Sequence, residues 1–191
     1  MCIRNILAAL IGAIVVMAWL TVSWLFLPFH SIDVKNFKDN GHVMTEAIKR
    51  TAPESGLYTL PYMSPDLYQS EEKQAEWTQK AKEGPYVFMS VKSEGMPWDM
   101  HMAMIGQFII VLFVALGVAC LMSKNTVSGL FKRAILIAFS VTLGVVLIET
   151  GHWNWWGFPI RTIGINIADA FIGWFLGGIV MSLIMKKSRT N

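Results

Sequence analysis

Charged residues are scarce in this sequence, and cysteine is nearly absent. Asp, Glu, Lys and Arg make up 15% of the 191 residues, whereas soluble proteins have about 25%. Eleven of the 13 acidic residues lie between Asp33 and Asp99, so long stretches outside this segment carry no charge. Because 54% of the residues are apolar, the composition excludes an ordinary soluble domain.

The two cysteines, Cys2 and Cys120, form no CxxC pair and are too few for a disulfide framework. The sequence also lacks a glycine-rich phosphate loop and a paired zinc motif. The net charge of +3 sums over segments expected in the membrane and segments expected in water. It therefore does not indicate a basic surface that would bind nucleic acid. These absences favour a non-enzymatic protein, and no cofactor is predicted apart from a metal ion, which is considered as an alternative.

Four apolar segments are long enough to cross a bilayer, which takes about 20 helical residues. The first is too long for the apolar core of a secretory signal, about 7–15 residues, and it ends in Trp24 to Pro28, a poor cleavage site. We therefore predict an uncleaved anchor and an all-α membrane protein built as a four-transmembrane-helix bundle. The predicted spans are residues 5–28, 102–123, 134–156 and 162–185.

Lysine and arginine indicate the orientation of the spans, since cytoplasmic flanks carry an excess of both. Seven of these residues flank the spans on one side: before residue 5, in the loop 124–133 and in the tail 186–191. The short loop 157–161 on the other side carries only Arg161. Both termini are therefore predicted to be cytoplasmic, with residues 29–101 outside.

The polar segment between the first two spans, residues 29–101, is predicted to form a small α+β extracytoplasmic domain. Asp39 or Asn40 can cap its first helix, and Ser70 can cap the second. A domain of this size is only marginally stable alone, so we expect it to lean on the spans or on a partner. The predicted elements are helices over 40–51 and 70–82 and strands over 57–60 and 86–91.

Two motifs resemble those of a family of bacterial inner-membrane proteins without an established activity. One is the LPxH motif of residues 27–30 at the end of the first span. The other is the PxSGxYxxP motif of residues 53–61 in the polar domain. The resemblance covers most of the chain in layout, and it implies a multi-pass protein of the bacterial cytoplasmic membrane. It implies nothing about mechanism.

Polar residues inside apolar spans are costly, so they usually face the bundle interior or carry function. At a rise of about 1.5 Å per residue, Gln107, Glu149 and Asp169 fall at similar depths below the outer face. Thr21 and Ser23 lie near the outer end of the first span. All four spans can therefore contribute to one polar layer just below the exported domain.

Helical spacing gives the last span a single stripe of polar and small residues, and its two glycines form a GxxxG pair that lets helices approach closely. We therefore expect Asp169 to point into the bundle. The pair permits association within one chain or between chains, so the candidate partners besides the lipid bilayer are a second copy and another membrane protein. The stripe consists of Asn166, Asp169, Gly173 and Gly177.

An ExxH spacing places Glu149 and His152 on one helical face, as in di-iron bundles. One interpretation is a mononuclear metal site that also uses Asp169 and His101. A second is a proton or solute path through the same residues. The third, which we favour, is structural pairing, in which Arg161 neutralises Asp169 or Glu149.

Two further segments each allow a structural interpretation and a ligand-binding interpretation. Residues 96–104 contain Met100 and Met104 one turn apart beside His101, and thioether and imidazole groups suit Cu(I). Packing at the start of a span is the favoured account of these methionines. Residues 153–159 combine tryptophans with Gly and Pro, which fits a turn anchored at headgroup depth. The alternative to this structural role is that residues 153–159 bind a lipid or quinone headgroup.

The leading hypothesis is a non-enzymatic membrane protein, either an accessory subunit or a binding protein. Its working surface would be the exported domain together with the polar layer. The alternative is a metal-handling, proton-transporting or solute-transporting protein that uses Glu149, His152 and Asp169.

Overall fold

The computed structural model describes residues 3–185, so Cys2 and the predicted cytoplasmic tail 186–191 lie outside the described residues. The chain divides into two compact units. The first contains the residues up to Val34 and those from Asp99 onward, and the second runs from Lys35 to Trp98. In chain order the helices are α1 (Ile3–Phe26), α2 (His42–Thr51), α3 (Glu71–Glu83), α4 (Met100–Lys124), α5 (Leu130–Trp156) and α6 (Ile160–Ile184), and the strands are β1 (Gly56–Leu60) and β2 (Val87–Val91).

Four helices of the first unit, α1, α4, α5 and α6, are long and apolar enough to cross a membrane. The expectation of a mostly helical chain with four helices able to span a membrane is thereby confirmed. These helices extend beyond most of the predicted limits: α5 begins at Leu130 and includes Lys132 and Arg133. Hydropathy ends a span at a charge, whereas a helix needs only its backbone hydrogen bonds, and basic side chains can keep their charged ends in water.

The first helix ends earlier than predicted. α1 stops at Phe26, and residues from Pro28 to Ser31 form a separate 3₁₀ turn. Proline has no backbone N–H and disfavours a helical conformation at the residue before it, which explains the break at Leu27. The short turn places His30 beside the last turns of α1.

The four spanning helices do not pack in the order in which they occur along the chain. α6 packs between α1 and α5, and α1 packs between α6 and α4. α4 and α5 follow each other in sequence but make few contacts. The packing order is therefore α4, α1, α6, α5, with the first and last spans in the middle.

Small residues bring α6 close to both of its neighbours. A Cβ atom on Gly177 would lie 2.6 Å from Val16 Cγ2 and 3.1 Å from the carbonyl oxygen of Gly12. On the α5 side, a Cβ atom on Gly178 would lie 3.0 Å from the carbonyl oxygen of Ala134. The backbones are therefore in close contact, as is typical of helix pairs inside membranes.

The second unit contains two helices and a two-stranded antiparallel sheet in which Tyr58 lies opposite Met89. Ser70 caps α3, because its hydroxyl oxygen accepts from the backbone N–H of Lys73, as predicted. The predicted cap of α2 is wrong. Asp39 and Asn40 have φ values of 55° and 47° in a preceding turn, and no side chain caps the helix. Both residue types tolerate this left-handed conformation through local hydrogen bonding.

The close approach of α1 and α6 predicts that Gly177→Ala weakens the fold. The new methyl group would overlap Val16 and push the two helices apart, which should lower the free energy of unfolding by about 1–3 kcal/mol. Thermal unfolding in detergent, followed by circular dichroism, measures the loss. Gly144→Ala on α5 is the matched control, since no atom lies within 4 Å of its added Cβ. Equal stability of the two variants would contradict this account of the interface.

Candidate functional site

The C-terminal end of α1, the turn Pro28–Ser31 and the first turns of α6 come together at one end of the first unit. We name this the His30 end. It contains Asp169, a carboxylate with only 5% of its residue surface exposed. A buried carboxylate needs hydrogen-bond donors to offset the loss of water, so its partners define the site.

Asp169 is held by residues of α1 and of the following turn. Trp19 Nε1 donates to Asp169 Oδ1 at 2.7 Å, and Ser23 Oγ donates to the same oxygen at 2.6 Å. His30 Nε2 lies 3.5 Å from Asp169 Oδ2 and 2.9 Å from Ser23 Oγ. We name these four residues, Trp19, Ser23, His30 and Asp169, the Asp169 cluster.

Local sequence explains how α1 and α6 form this cluster. Trp19 and Ser23 are one helical turn apart, so they project from the same face of α1. On α6, Gly173 lies one turn after Asp169 and leaves room for the indole, since a Cβ atom there would lie 2.8 Å from Trp19 Cδ1. The missing side chain of Gly173 thus lets the indole of Trp19 lie against α6, where it donates to the carboxylate of Asp169.

His30 has a fixed ring orientation. Its side chain is 6% exposed, and it stacks on Trp24 with 4.1 Å between ring centroids and 11° between ring planes. The ring of Phe29 contacts it at 4.7 Å with a tilt of 51°. Two aromatic neighbours and the bond to Ser23 therefore hold the imidazole in place.

Two further hydrogen bonds attach α6 to its surroundings near the same end. Asn166 Nδ2 donates to Glu149 Oε1 of α5 at 3.2 Å. Thr162 Oγ1 donates to Asp33 Oδ2 at 2.7 Å. Glu149 on α5 is therefore bonded to Asn166 of α6, whereas Asp169 on α6 is bonded to residues of α1.

The structure brings only part of the predicted polar layer together. Thr21 Oγ1 donates to the carbonyl oxygen of Met17 within its own helix. Gln107 lies exposed on α4. Arg161 is also exposed, and within residues 3–185 it forms no ion pair with Asp169 or Glu149. The structural pairing that we favoured therefore involves donors other than Arg161.

The residues of the predicted metal site are engaged separately. His152 stacks on Phe158, with 5.1 Å between the ring centroids, and His101 lies exposed at the start of α4. In the part of the chain that the structure describes, no group of three or more His, Cys, Asp and Glu side chains could hold a metal ion. Met100 and Met104 are both exposed on α4, one turn apart.

Sequence reasoning missed two members of the cluster. Trp19 was not among the residues predicted for the polar layer, yet its indole N–H is directed at Asp169. His30 entered only as the last residue of the LPxH motif, with no role. One signal could have placed Trp19: it lies four residues before Ser23, so the two side chains share the face of α1 that is directed at the bundle. The sequence offers no comparable signal for His30.

The second unit has charged groups of a different kind, all of them at the surface. Asp66 is hydrogen-bonded by Lys73, which lowers the pKa of its carboxyl to about 2. Hydrogen bonds from Ser55, its own backbone N–H and Ser93 lower the pKa of Glu94 to about 2. Exposed pairs of this kind contribute little to stability, so they mark local turns and helix ends rather than a reactive site.

Comparisons with protein-family models, with curated proteins and with solved structures found no match for this chain. The resemblance inferred from the two short motifs therefore stays a prediction.

The donors around Asp169 predict that Asp169→Asn destabilises the first unit. The amide keeps the size of the carboxylate but puts an NH2 group in place of one oxygen. In place of Oδ1 this group faces the donors Trp19 and Ser23, and in place of Oδ2 it faces Nε2 of His30. Leaving buried donors unpaired costs about 1–3 kcal/mol. The unfolding midpoint in detergent measures this loss, and Asp39→Asn, the same change at an exposed acid, should leave the midpoint unchanged. An unaltered midpoint for Asp169→Asn would show that the carboxylate does not join the helices.

Proposed function

We propose that this chain is a non-enzymatic binding or accessory protein of the membrane, in which the Asp169 cluster is a rigid joint between α1 and α6. The observation that carries this proposal is that one carboxylate receives donors from Trp19 and Ser23 and contacts His30. A carboxylate held in this way is an anchor for helices, whereas an ion ligand in a transport path must exchange its partners.

The residues beyond the cluster also support a binding role over transport. Between Asp169 and Ser182, the buried residues of α6 are Gly173, Trp174, Gly177, Gly178 and Met181. On α1, the buried residues between Ser23 and Asn5 are Gly, Ala and Val. These faces of α1 and α6 run for about 20 Å at 1.5 Å per residue and carry no ionisable side chain. On the α5 side the bundle adds the buried hydroxyl group of Thr142.

The membrane placement is part of the same proposal. The distribution of Lys and Arg and the family resemblance favour the bacterial cytoplasmic membrane, with both termini inside and residues 29–101 outside. In that orientation the His30 end lies in the outer leaflet.

Labelling of single cysteines tests this orientation. In a background with Cys2→Ser and Cys120→Ser, Tyr68→Cys in the second unit should react with a membrane-impermeant maleimide in intact cells. Ser128→Cys, between α4 and α5, should react only after the cells are lysed. Both positions are exposed, so access to the reagent decides the result. The reverse pattern would invert the topology and place the His30 end in the inner leaflet.

Proton flux separates binding from transport. In proteoliposomes that enclose a pH-sensitive dye, we expect the same acidification rate for the wild-type protein, for Asp169→Asn and for liposomes without protein. Metal analysis of the purified wild-type protein and Glu149→Gln should give equal, substoichiometric contents. Proton flux that disappears in Asp169→Asn, or a stoichiometric metal that disappears in Glu149→Gln, would replace this proposal with the transport or metal alternative.

A further inference from the structure

A pocket opens beside the Asp169 cluster, between the last turn of α1 and the chain that follows it. It has a volume of about 370 Å³, and its walls include Trp24, Phe26, Pro28, His30 and Val34. Binding sites for small molecules have volumes of about 300–1,000 Å³, with mostly apolar walls and a few polar groups. We name this cavity the His30 pocket, because the two ring nitrogens of His30 indicate which ligand it can bind.

Hydrogen positions around His30 follow from counting donors. Ser23 has one hydroxyl proton, and the bond of 2.6 Å to Asp169 Oδ1 uses it. The contact of 2.9 Å between Ser23 Oγ and His30 Nε2 therefore needs its proton on Nε2. The second contact of Nε2, 3.5 Å from Asp169 Oδ2, is consistent with the same proton. In the neutral ring, Nδ1 then carries a lone pair and accepts a hydrogen bond.

Nδ1 is available for such a bond. Among the described residues it has no hydrogen-bond partner, and it is absent from the buried side-chain atoms that lack one, so it reaches the accessible surface. The ring cannot turn this nitrogen away, because rotation would break the contacts to Ser23 and Trp24. With a neutral imidazole, Nδ1 is thus a fixed acceptor in a pocket whose other lining residues have apolar side chains, apart from Ser31.

Chemistry selects the kind of molecule that this acceptor recognises. An acceptor-only group, such as a ketone, offers no proton to Nδ1. An anion is disfavoured because the carboxylate of Asp169 lies behind the imidazole. A metal cation would find a single nitrogen ligand, because the other lining residues offer no carboxylate, imidazole or thiol group. A neutral hydroxyl compound meets all three conditions, and a flat ring fits walls formed by Trp24, Phe26 and Pro28.

We propose that the His30 pocket binds a neutral phenolic headgroup that partitions into the membrane, with its hydroxyl group donating to His30 Nδ1. This inference rests on the proposed binding function, because it needs the Asp169 cluster to be a fixed support. The Asp169 cluster orients the imidazole, and the imidazole receives the ligand. Ser31 also lines the pocket, and since its hydroxyl group donates to the carbonyl oxygen of Pro28, its oxygen can only accept a further hydrogen bond.

A matched pair of ligands tests the proposal on the full-length protein in nanodiscs. The probes are a para-alkyl phenol and its methyl ether, which has the same ring and tail but no donor proton. Equilibrium dialysis, corrected for uptake by empty nanodiscs, should give the phenol a dissociation constant about tenfold lower, as expected for one buried hydrogen bond. Equal binding of phenol and ether to the wild-type protein would overturn the proposal.

His30→Lys separates recognition from folding. The ammonium group of lysine can donate to Ser23 and Asp169 in place of Nε2, but lysine has no acceptor in place of Nδ1. The variant should keep its helical circular dichroism spectrum and lose the preference for the phenol. His101→Lys, the same change at an exposed histidine of α4, should keep the preference. A phenol preference that survives in His30→Lys would also overturn the proposal.

A second variant fills the pocket without touching the cluster. Val34 is 74% exposed, so Val34→Trp can place its indole over the cavity while the fold is unchanged. We expect it to abolish binding of the phenol, and retained binding would refute the assigned site. The flux experiment is independent of these results: loss of phenol binding refutes the ligand only, whereas proton flux refutes the binding function itself.

Discussion

A buried carboxylate is the constraint on which this end of the molecule depends. Removing an ionised carboxylate from water costs several kcal/mol unless nearby donors replace the lost hydrogen bonds. For Asp169 the replacement comes from Trp19 and Ser23, with His30 beside the second oxygen. The position of α1 against α6, the absence of a side chain at Gly173 and the turn at Pro28 all serve to bring these groups to one carboxylate.

Away from this carboxylate, the same two helices are held by close packing. Gly12, Gly177 and Gly178 allow backbone contact, and contacts between apolar atoms act without a preferred direction. Packing of small residues alone would allow the helices to slide along each other. The hydrogen bonds at the His30 end have a direction and a fixed partner, so they define the register. Proximity and register thus come from different residues of the same interface.

Much of the architecture could be predicted from the sequence because apolar runs and helix caps are local signals. The four spans and the cap at Ser70 are examples. The stripe from Asp169 to Gly177 also placed these residues on one face, which the structure directs toward α1.

The partners of Asp169 could not be predicted, because they depend on which helices are adjacent. Span order suggested a local partner such as Arg161, whereas the observed donors, Trp19 and Ser23, lie 150 and 146 residues away in sequence. The packing order α4, α1, α6, α5 is likewise invisible in hydropathy.

The pairing of α1 with α6 has a consequence for the time course of synthesis. α1 leaves the ribosome first of the four spanning helices and α6 leaves last. Until α6 is made, Trp19, Ser23 and His30 have no acceptor in Asp169 and depend on water, lipid headgroups or each other. The central contact of the bundle therefore closes only when the last span arrives. A nascent chain that stops before residue 169 lacks the contact that joins its two middle helices, which distinguishes it physically from a chain that has passed that point.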